Sequence, residues 1–416
     1  MQDRFGLPIT TASASAVAAY LDGVDRLLMA DQGAEQAFVR ALAAAPDFAL
    51  AHAALARSLQ IAGRTTEAVR AANEGLRLSQ GLTAREESHT KALALLIKGH
   101  PDALAAVQRH AVEFPFDLVV LMPAVAVFGL IGFSGRPDRN QYLLSFMQSL
   151  PPRLREDWWF ASWYGFVHTE TGQLAEGQRI VERALAANPR NANAIHALAH
   201  VFYEAGQPAA AASLLDAWLP GYERAAPLHC HLSWHRALSE LESGHTGAAW
   251  EIYDDSLAPA AARLAPPINA LTDAASFLWL AWLLGEEAPR ERWEEVRLLA
   301  DGFPLGVVYA DLHAAIVYAV CDDRAALSAR LASLQRATQV GSVGVQLTEG
   351  IIAFARGEFP RAADVLAGAK DEIVRVGGSG AQRDLFLHTL AAAYRRAGQL
   401  AEAEALLAHE LARPRN

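Results

Sequence analysis

Residues 390–414 read LAAAYRRAGQLAEAEALLAHELARP. A helix rich in alanine carries one aromatic, Tyr394, and ends at Gly398. Glycine there supplies the positive φ that a helix C-cap needs. A second alanine-rich helix follows, and Pro414 stops the unit. The same grammar recurs around Gly63 (LARSLQIAGRTTEAVRAANEGL) and Gly172 (YGFVHTETGQLAEGQRIVERALAANP). It appears again around Gly99, Gly206, Gly244 and Gly357, and Pro115, Pro189, Pro220 and Pro259 stop the units turned at Gly99, Gly172, Gly206 and Gly244. Small residues follow the glycines, such as Ala401 and Ala405, or Ala209 and Ala212, and they let two helices approach closely.

The spacing of these turns sets the repeat class. Gly63 to Gly99 is 36 residues, Gly172 to Gly206 is 34, Gly206 to Gly244 is 38 and Gly357 to Gly398 is 41. Gly99 to Gly172 is 73, or two units. A period of 34 or slightly more is that of tetratricopeptide (TPR) helix pairs. One further pair precedes these, with helices expected near Ala14 to Leu28 and Ala34 to Ala44. The expectation is an all-α, TPR-like solenoid of about ten helix pairs, a single domain over residues 1–416 with a concave or closed central cavity. Each unit would bury its apolar face against its neighbours. The stretch EIVRVGGSGAQRDLF reads as a loop leading into the last pair.

Bulk composition narrows the function classes. The chain is 52% hydrophobic, 20% charged and carries a formal net charge of −10. No basic excess or polybasic run is present, so no nucleic-acid partner is expected. Two isolated cysteines, Cys230 and Cys321, make no disulfide framework and no metal knuckle. The N-terminus shows no signal-peptide pattern. The longest uncharged stretch, LVVLMPAVAVFGLIGF at 118–133, is shorter than the ~20 residues of a spanning helix and is interrupted by Pro123. It reads as a buried helix, and the protein as soluble, cytoplasmic and without a membrane partner.

Longer stretches carry a family resemblance. LTAREESHTKAL (82–93), RALAANPRNANAIHALAHV (183–201), HLSWHRALSELE (231–242) with IYDDSL (252–257), LTDAASFLWLAWLLGE (271–286) and GGSGAQRDLF (377–386) stand in the order and spacing of one family. Over nearly the whole chain the sequence resembles the tetratricopeptide repeat protein 38 family of degenerate repeat proteins. The chain departs from it at Asn193, where the family tends to an aromatic, and at Ser233, where it favours tryptophan. At Tyr203 the family tends to glutamate, and here the acidic residue comes one position later, at Glu204. The resemblance implies a helical-repeat fold and no particular reaction.

The polar residues of interest are histidines. His196 and His200 are four apart in one helix, and His231 and His235 repeat the spacing in the next inner helix. Residues at i and i+4 share a helix face, and neighbouring helices pack ~8–10 Å apart. All four imidazoles are therefore expected on one patch, with His229 pointing elsewhere. Three readings stay open: histidines packed and hydrogen-bonded in a thick core, a metal site, or a site for a polar organic ligand. The metal reading lacks the glutamate of an HExxH helix, since Ala-Leu-Ala separates His196 from His200. No metal ligands and no cofactor are assigned on that basis. For proton transfer or anion recognition histidine is the fitting side chain, and a carboxylate to fix its tautomer is sought among Glu204, Asp254, Asp255 and Asp273.

Tryptophans surround this segment: Trp158, Trp159 and Trp163 before it, Trp234 within it, Trp279 and Trp282 after it. Large rings either fill a solenoid interior or wall a pocket. Thr83 and Glu86 form a capping-box pattern. Arg383, after the glycines, either pairs on its helix or recognises a carboxylate or phosphate. No GxxxxGK[ST], GxGxxG or GxSxG motif is present. The expectation is a helical-repeat binding protein for a small molecule or peptide. His196, His231, Trp163, Trp234, Trp279, Asp273 and Arg383 would make the contacts. Acid–base chemistry at His200 and His235 is the enzymatic alternative, and a plain protein–protein scaffold the third.

Overall fold

In the computed structural model, Gly63, Gly99, Gly172, Gly206, Gly244, Gly357 and Gly398 all take φ values between 63° and 79°. Each ends one helix and releases the chain into the next, as the repeat requires. Gly285 (φ 94°) makes a further such turn, and Ala30 (57°) and Asp322 (54°) make it without glycine. The structure describes residues 1–11, 13–337 and 340–412, the last four of these by backbone alone. Among them it forms twenty-two α-helices, from Ala14–Met29 to Leu400–Ala412, and no β-strand. Pro414 lies outside the described residues. The fold is an all-α, TPR-like solenoid, with eleven pairs of helices against about ten expected.

The two helices of a pair differ in how much of their surface they bury. Thr65–Leu78 buries one stripe, Ala68, Ala71, Ala72 and Gly75, and is an outer helix. Trp158–Glu170 is buried on every side, from Trp159 through Glu170. Ala192–Glu204, His229–Glu242, Pro267–Leu283 and Val308–Cys321 follow it as further inner helices. Trp159, Trp234 and Trp279 are each 0–1% exposed. At roughly 1.5–3 kcal/mol for each large apolar side chain buried, core packing rather than helix propensity fixes these elements. The Trp158–Glu170 and Leu174–Ala187 helices meet glycine to glycine. A Cβ at Gly165 would stand 2.9 Å from the Gly177 carbonyl oxygen, so only hydrogen fits.

The apolar stretch at 118–133 forms a shorter helix than expected, Leu118–Val125, buried throughout. Beyond it the chain turns, with Leu130 N–H donating to the Pro123 carbonyl. Among the described residues no helix is long and apolar enough to cross a membrane. The Thr83 capping box forms as expected.

The last inner helix closes the structure. Gly380–Arg396 begins in the GGSG segment with a second capping box, Ser379 with Gln382. Its first backbone N–H donates to Glu170 Oε1 at 2.9 Å, and Tyr203 donates to Asp384 at 2.7 Å. Arg139 donates to the Gly378 carbonyl, 239 residues away. Trp279 Nε1 donates to Thr389 at 2.8 Å. The N-terminal pairs are tied across as well, Asn193 donating to the Leu28 carbonyl at 2.7 Å and Tyr222 to that of Ala30. The curled chain encloses its centre.

Candidate functional site

The helices Ala192–Glu204 and His229–Glu242 set the four histidines on facing surfaces. His200 Nε2 lies 3.0 Å from His196 Nε2, and His231 Nε2 lies 3.1 Å from the same atom. The His235 ring centre stands 4.5 Å from that of His200, 4.9 Å from His231 and 5.3 Å from His196. One ring nitrogen from each of the four falls within 4.8 Å of the other three. All four are buried. Burial first, then His200 and His231, hold the His196 pKa well below its ordinary value. His235 is depressed in the same way, by burial and then by the three other rings.

Two carboxylates flank the rings. Asp273, from Pro267–Leu283, lies 3.0 and 3.1 Å from His231 Nδ1. A carboxylate only accepts, so His231 carries a proton on Nδ1, and as a neutral ring it turns its Nε2 lone pair inward. Glu170 Oε1 lies 3.9 Å from His200 Nδ1. Burial pushes the Glu170 carboxyl up, but Arg383 and His200 outweigh it and leave it below its ordinary value. Sequence reasoning considered Asp273 and missed Glu170. The missed signal is its position in the inner helix next to the first histidine pair. Asp254 and Asp255 instead pair with Arg292 and Arg224 on the exterior, and Glu204 lies against Gly380.

A cavity of about 930 Å³ opens beside the cluster. Its wall includes His196, His231, Trp159, Trp163, Phe128 and Phe133, together with Asn193, Gln382 and the arginines Arg26, Arg40 and Arg57. His200 and His235 do not line it. Trp163 does, and its Nε1 is buried without a hydrogen-bond partner. Trp234 stacks on His231, ring centres 5.3 Å apart, behind the cluster. Trp279 sits in the core against Trp282 and Phe354, away from the cavity wall. Arg383 is held by the Gly378 carbonyl and by Glu170 at 3.4 Å, so it ties the closing helix rather than facing a ligand. His229 stands apart, as expected, its ring facing Tyr222. Burial raises the Cys230 thiol well above its ordinary value, which leaves it a poor nucleophile.

The arginines on the wall are not equivalent. Arg26 and Arg40 both pair with Asp22. Arg57 pairs with no carboxylate among the described residues. Its Nη1 donates to Gln60 at 2.7 Å and its Nε is buried without a partner. Burial pulls its pKa down to about 10, which still leaves it charged at neutral pH.

Comparison with known proteins agrees with the repeat. A tetratricopeptide-repeat family model matches residues 168–226, the segment that carries the first histidine pair. Among solved structures, the chain is similar to the human IFIT1 dimer with m7Gppp-AAAA, at 14% identity and a TM-score of 0.43, over 99% of this chain and 97% of that one. It is similar to the human IFIT1 dimer with PPP-AAAA at 12% identity and a TM-score of 0.44, with the same coverage. The Cut9–Hcn1 hetero-tetramer of the APC/C matches at 11% identity and 0.39, over 96% and 87%. The two IFIT1 structures correct the expectation that nucleic acid is excluded. That expectation rested on a whole-chain charge of −10. A global charge does not report on a cavity, and this wall sets Arg26, Arg40 and Arg57 beside Asp31 and Glu35.

Proposed function

We propose that this protein is a helical-repeat binding protein that holds a small organic anion in its central cavity. Within TPR-like proteins it is read as a relative of the tetratricopeptide repeat protein 38 family, with residues 1–416 acting as one domain. The observation that carries the reading is Arg57, a charged group on the cavity wall with no carboxylate partner. A cavity of about 930 Å³ suits a ligand of drug-like size, since such sites span ~300–1,000 Å³. Aromatic walls with a few polar groups are the usual composition of such sites. Trp163 and His196 supply the apolar and polar contacts, and Arg57 meets the anionic group. The assignment of acid–base roles to His200 and His235 is not carried forward, because neither ring reaches the cavity wall. A cytoplasmic setting fits two free cysteines.

Naphthalene-1-sulfonate and its neutral counterpart naphthalene-1-methanol test this, titrated into wild type and Arg57→Ala by calorimetry. The sulfonate is expected to bind more tightly to wild type, and Arg57→Ala to weaken it roughly ten-fold or more, as loss of a charge-assisted contact does. Equal affinity for the two probes, or no change in a folded Arg57→Ala protein, refutes the reading.

A further inference from the structure

We infer that His196, His200, His231 and His235 form a binding centre for one divalent transition-metal ion of the zinc class. The inference goes beyond the cavity reading and stands without it. Four imidazole nitrogens within 4.8 Å of one another meet the donor number of a tetrahedral site. Zinc–nitrogen bonds of ~2.0–2.1 Å place the donors of a tetrahedron about 3.3–3.4 Å apart. The 3.0 and 3.1 Å separations at His196 Nε2 lie just inside that spacing.

Hydrogen bonding alone serves this arrangement poorly. An imidazole nitrogen carries one proton or one lone pair, never both. His196 Nε2 has two nitrogen neighbours, so at most one of the contacts is a full hydrogen bond. With the Asp273 contact holding a proton on Nδ1, a neutral His231 offers Nε2 only as a lone pair. His235 Nε2 is buried without a partner. A central cation uses the inward lone pairs together.

Charge leads to the same conclusion by a separate route. Asp273 is 1% exposed, and its polar partners are the His231 ring and the Cys230 thiol. Among the described residues no lysine or arginine pairs with it. A buried carboxylate without a counter-charge is costly, and a dication bound through His231 supplies one. Carboxylate behind histidine is also the usual outer support of a zinc ligand, fixing its tautomer and raising its basicity. Glu170 stands behind His200 in a looser version of that arrangement. Imidazole donors suit zinc, copper, nickel and iron over calcium or magnesium. His196 and His231 border the cavity, which gives the ion a route in.

Full-length protein, stripped with a chelator and shown by circular dichroism to remain helical, is titrated with Co²⁺ and then with Zn²⁺ alone. One equivalent of each is expected, with the intense visible bands of tetrahedral cobalt. X-ray absorption of the zinc form is expected to show imidazole nitrogens at ~2.0–2.1 Å. Asp273→Asn, which leaves the four donors in place, is expected to weaken zinc 10–100-fold. Folded, stripped wild type that takes up well under one equivalent from micromolar solution overturns the site. So does an oxygen-dominated shell, or full uptake by a folded His196→Ala/His235→Ala protein. If that double variant does not fold, the wild-type absorption spectrum decides, since it reports the donors directly. Naphthalene-1-sulfonate titrated into the stripped protein reads the cavity separately, so either proposal fails without the other.

Discussion

Among the described residues lie two buried clusters of histidine and carboxylate, and they are built on opposite charge logic. In the N-terminal half, Asp117 gathers His89 Nδ1 at 2.9 Å, His110 Nε2 at 3.3 Å and Arg85 Nη1 at 2.7 Å. Burial works to raise the Asp117 carboxyl, yet these histidines hold it well below the usual range. One guanidinium and one carboxylate close the charge there. In the central cluster four imidazoles face one another; of the two carboxylates behind them, Glu170 has Arg383, and Asp273 has no lysine or arginine among the described residues. Proximity alone does not distinguish the two clusters, because three possible metal donors meet in the first as well. Counting charge does: the first is complete, and the second wants a positive ion.

That difference is open to test. The largest expected effect is at the complete cluster. Arg85→Met strands the Asp117 carboxylate, and urea unfolding is expected to show a loss of about 3–5 kcal/mol, most of it recovered in Arg85→Met/Asp117→Leu. Chelation should then separate the clusters. An ion held at a thousand times its Kd stabilises by about 4 kcal/mol, so a chelator is expected to lower the melting temperature of wild type. It should lower that of Arg85→Met by the same increment. A chelator effect confined to protein with Arg85 intact would reverse the assignment.

The smallest effect uses a histidine outside both clusters. His313 is fully buried, donates from Nδ1 to the Tyr309 carbonyl at 2.8 Å, and has its pKa lowered by burial to about 4. Below about pH 6.5 the unfolded chain gains a proton that the folded chain refuses. The contribution is therefore present above 6.5 and lost as pH falls toward 4, about 3 kcal/mol in all. Melting curves of chelated protein across that window should fall more steeply in wild type than in His313→Asn. Parallel curves would mean that His313 is not the titrating group.

The repeat was legible because glycine marks most of its turns and the period is uneven but bounded. It was hardest to see where Asp322 takes the left-handed turn itself, so that no glycine flags the unit. The convergence of four histidines also followed from sequence, since i, i+4 spacing on two neighbouring inner helices leaves little other geometry. Their partners did not follow. Asp273 was one carboxylate among four, and its choice depends on the packing of Pro267–Leu283 against His229–Glu242. Arg383 looked like a ligand residue in sequence and proved to be a tie to Glu170, 213 residues away. Trp279 looked like a pocket wall and proved to be core. Arg57 carried no signal at all, because an unpaired cation is recognised only once its surroundings are known.

The contacts of Gly380–Arg396 across the middle of the chain have a consequence for how such a protein can change over time. An open array of helix pairs gains or loses a unit with little penalty, because each unit touches only its neighbours. Here Glu170 must meet the backbone of Gly380, and Arg139 the carbonyl of Gly378. Inserting or deleting one pair between them would swing the last helix out of register and pull Arg383 away from Glu170. The number of units is thereby locked, and drift is confined to the sequence within each unit.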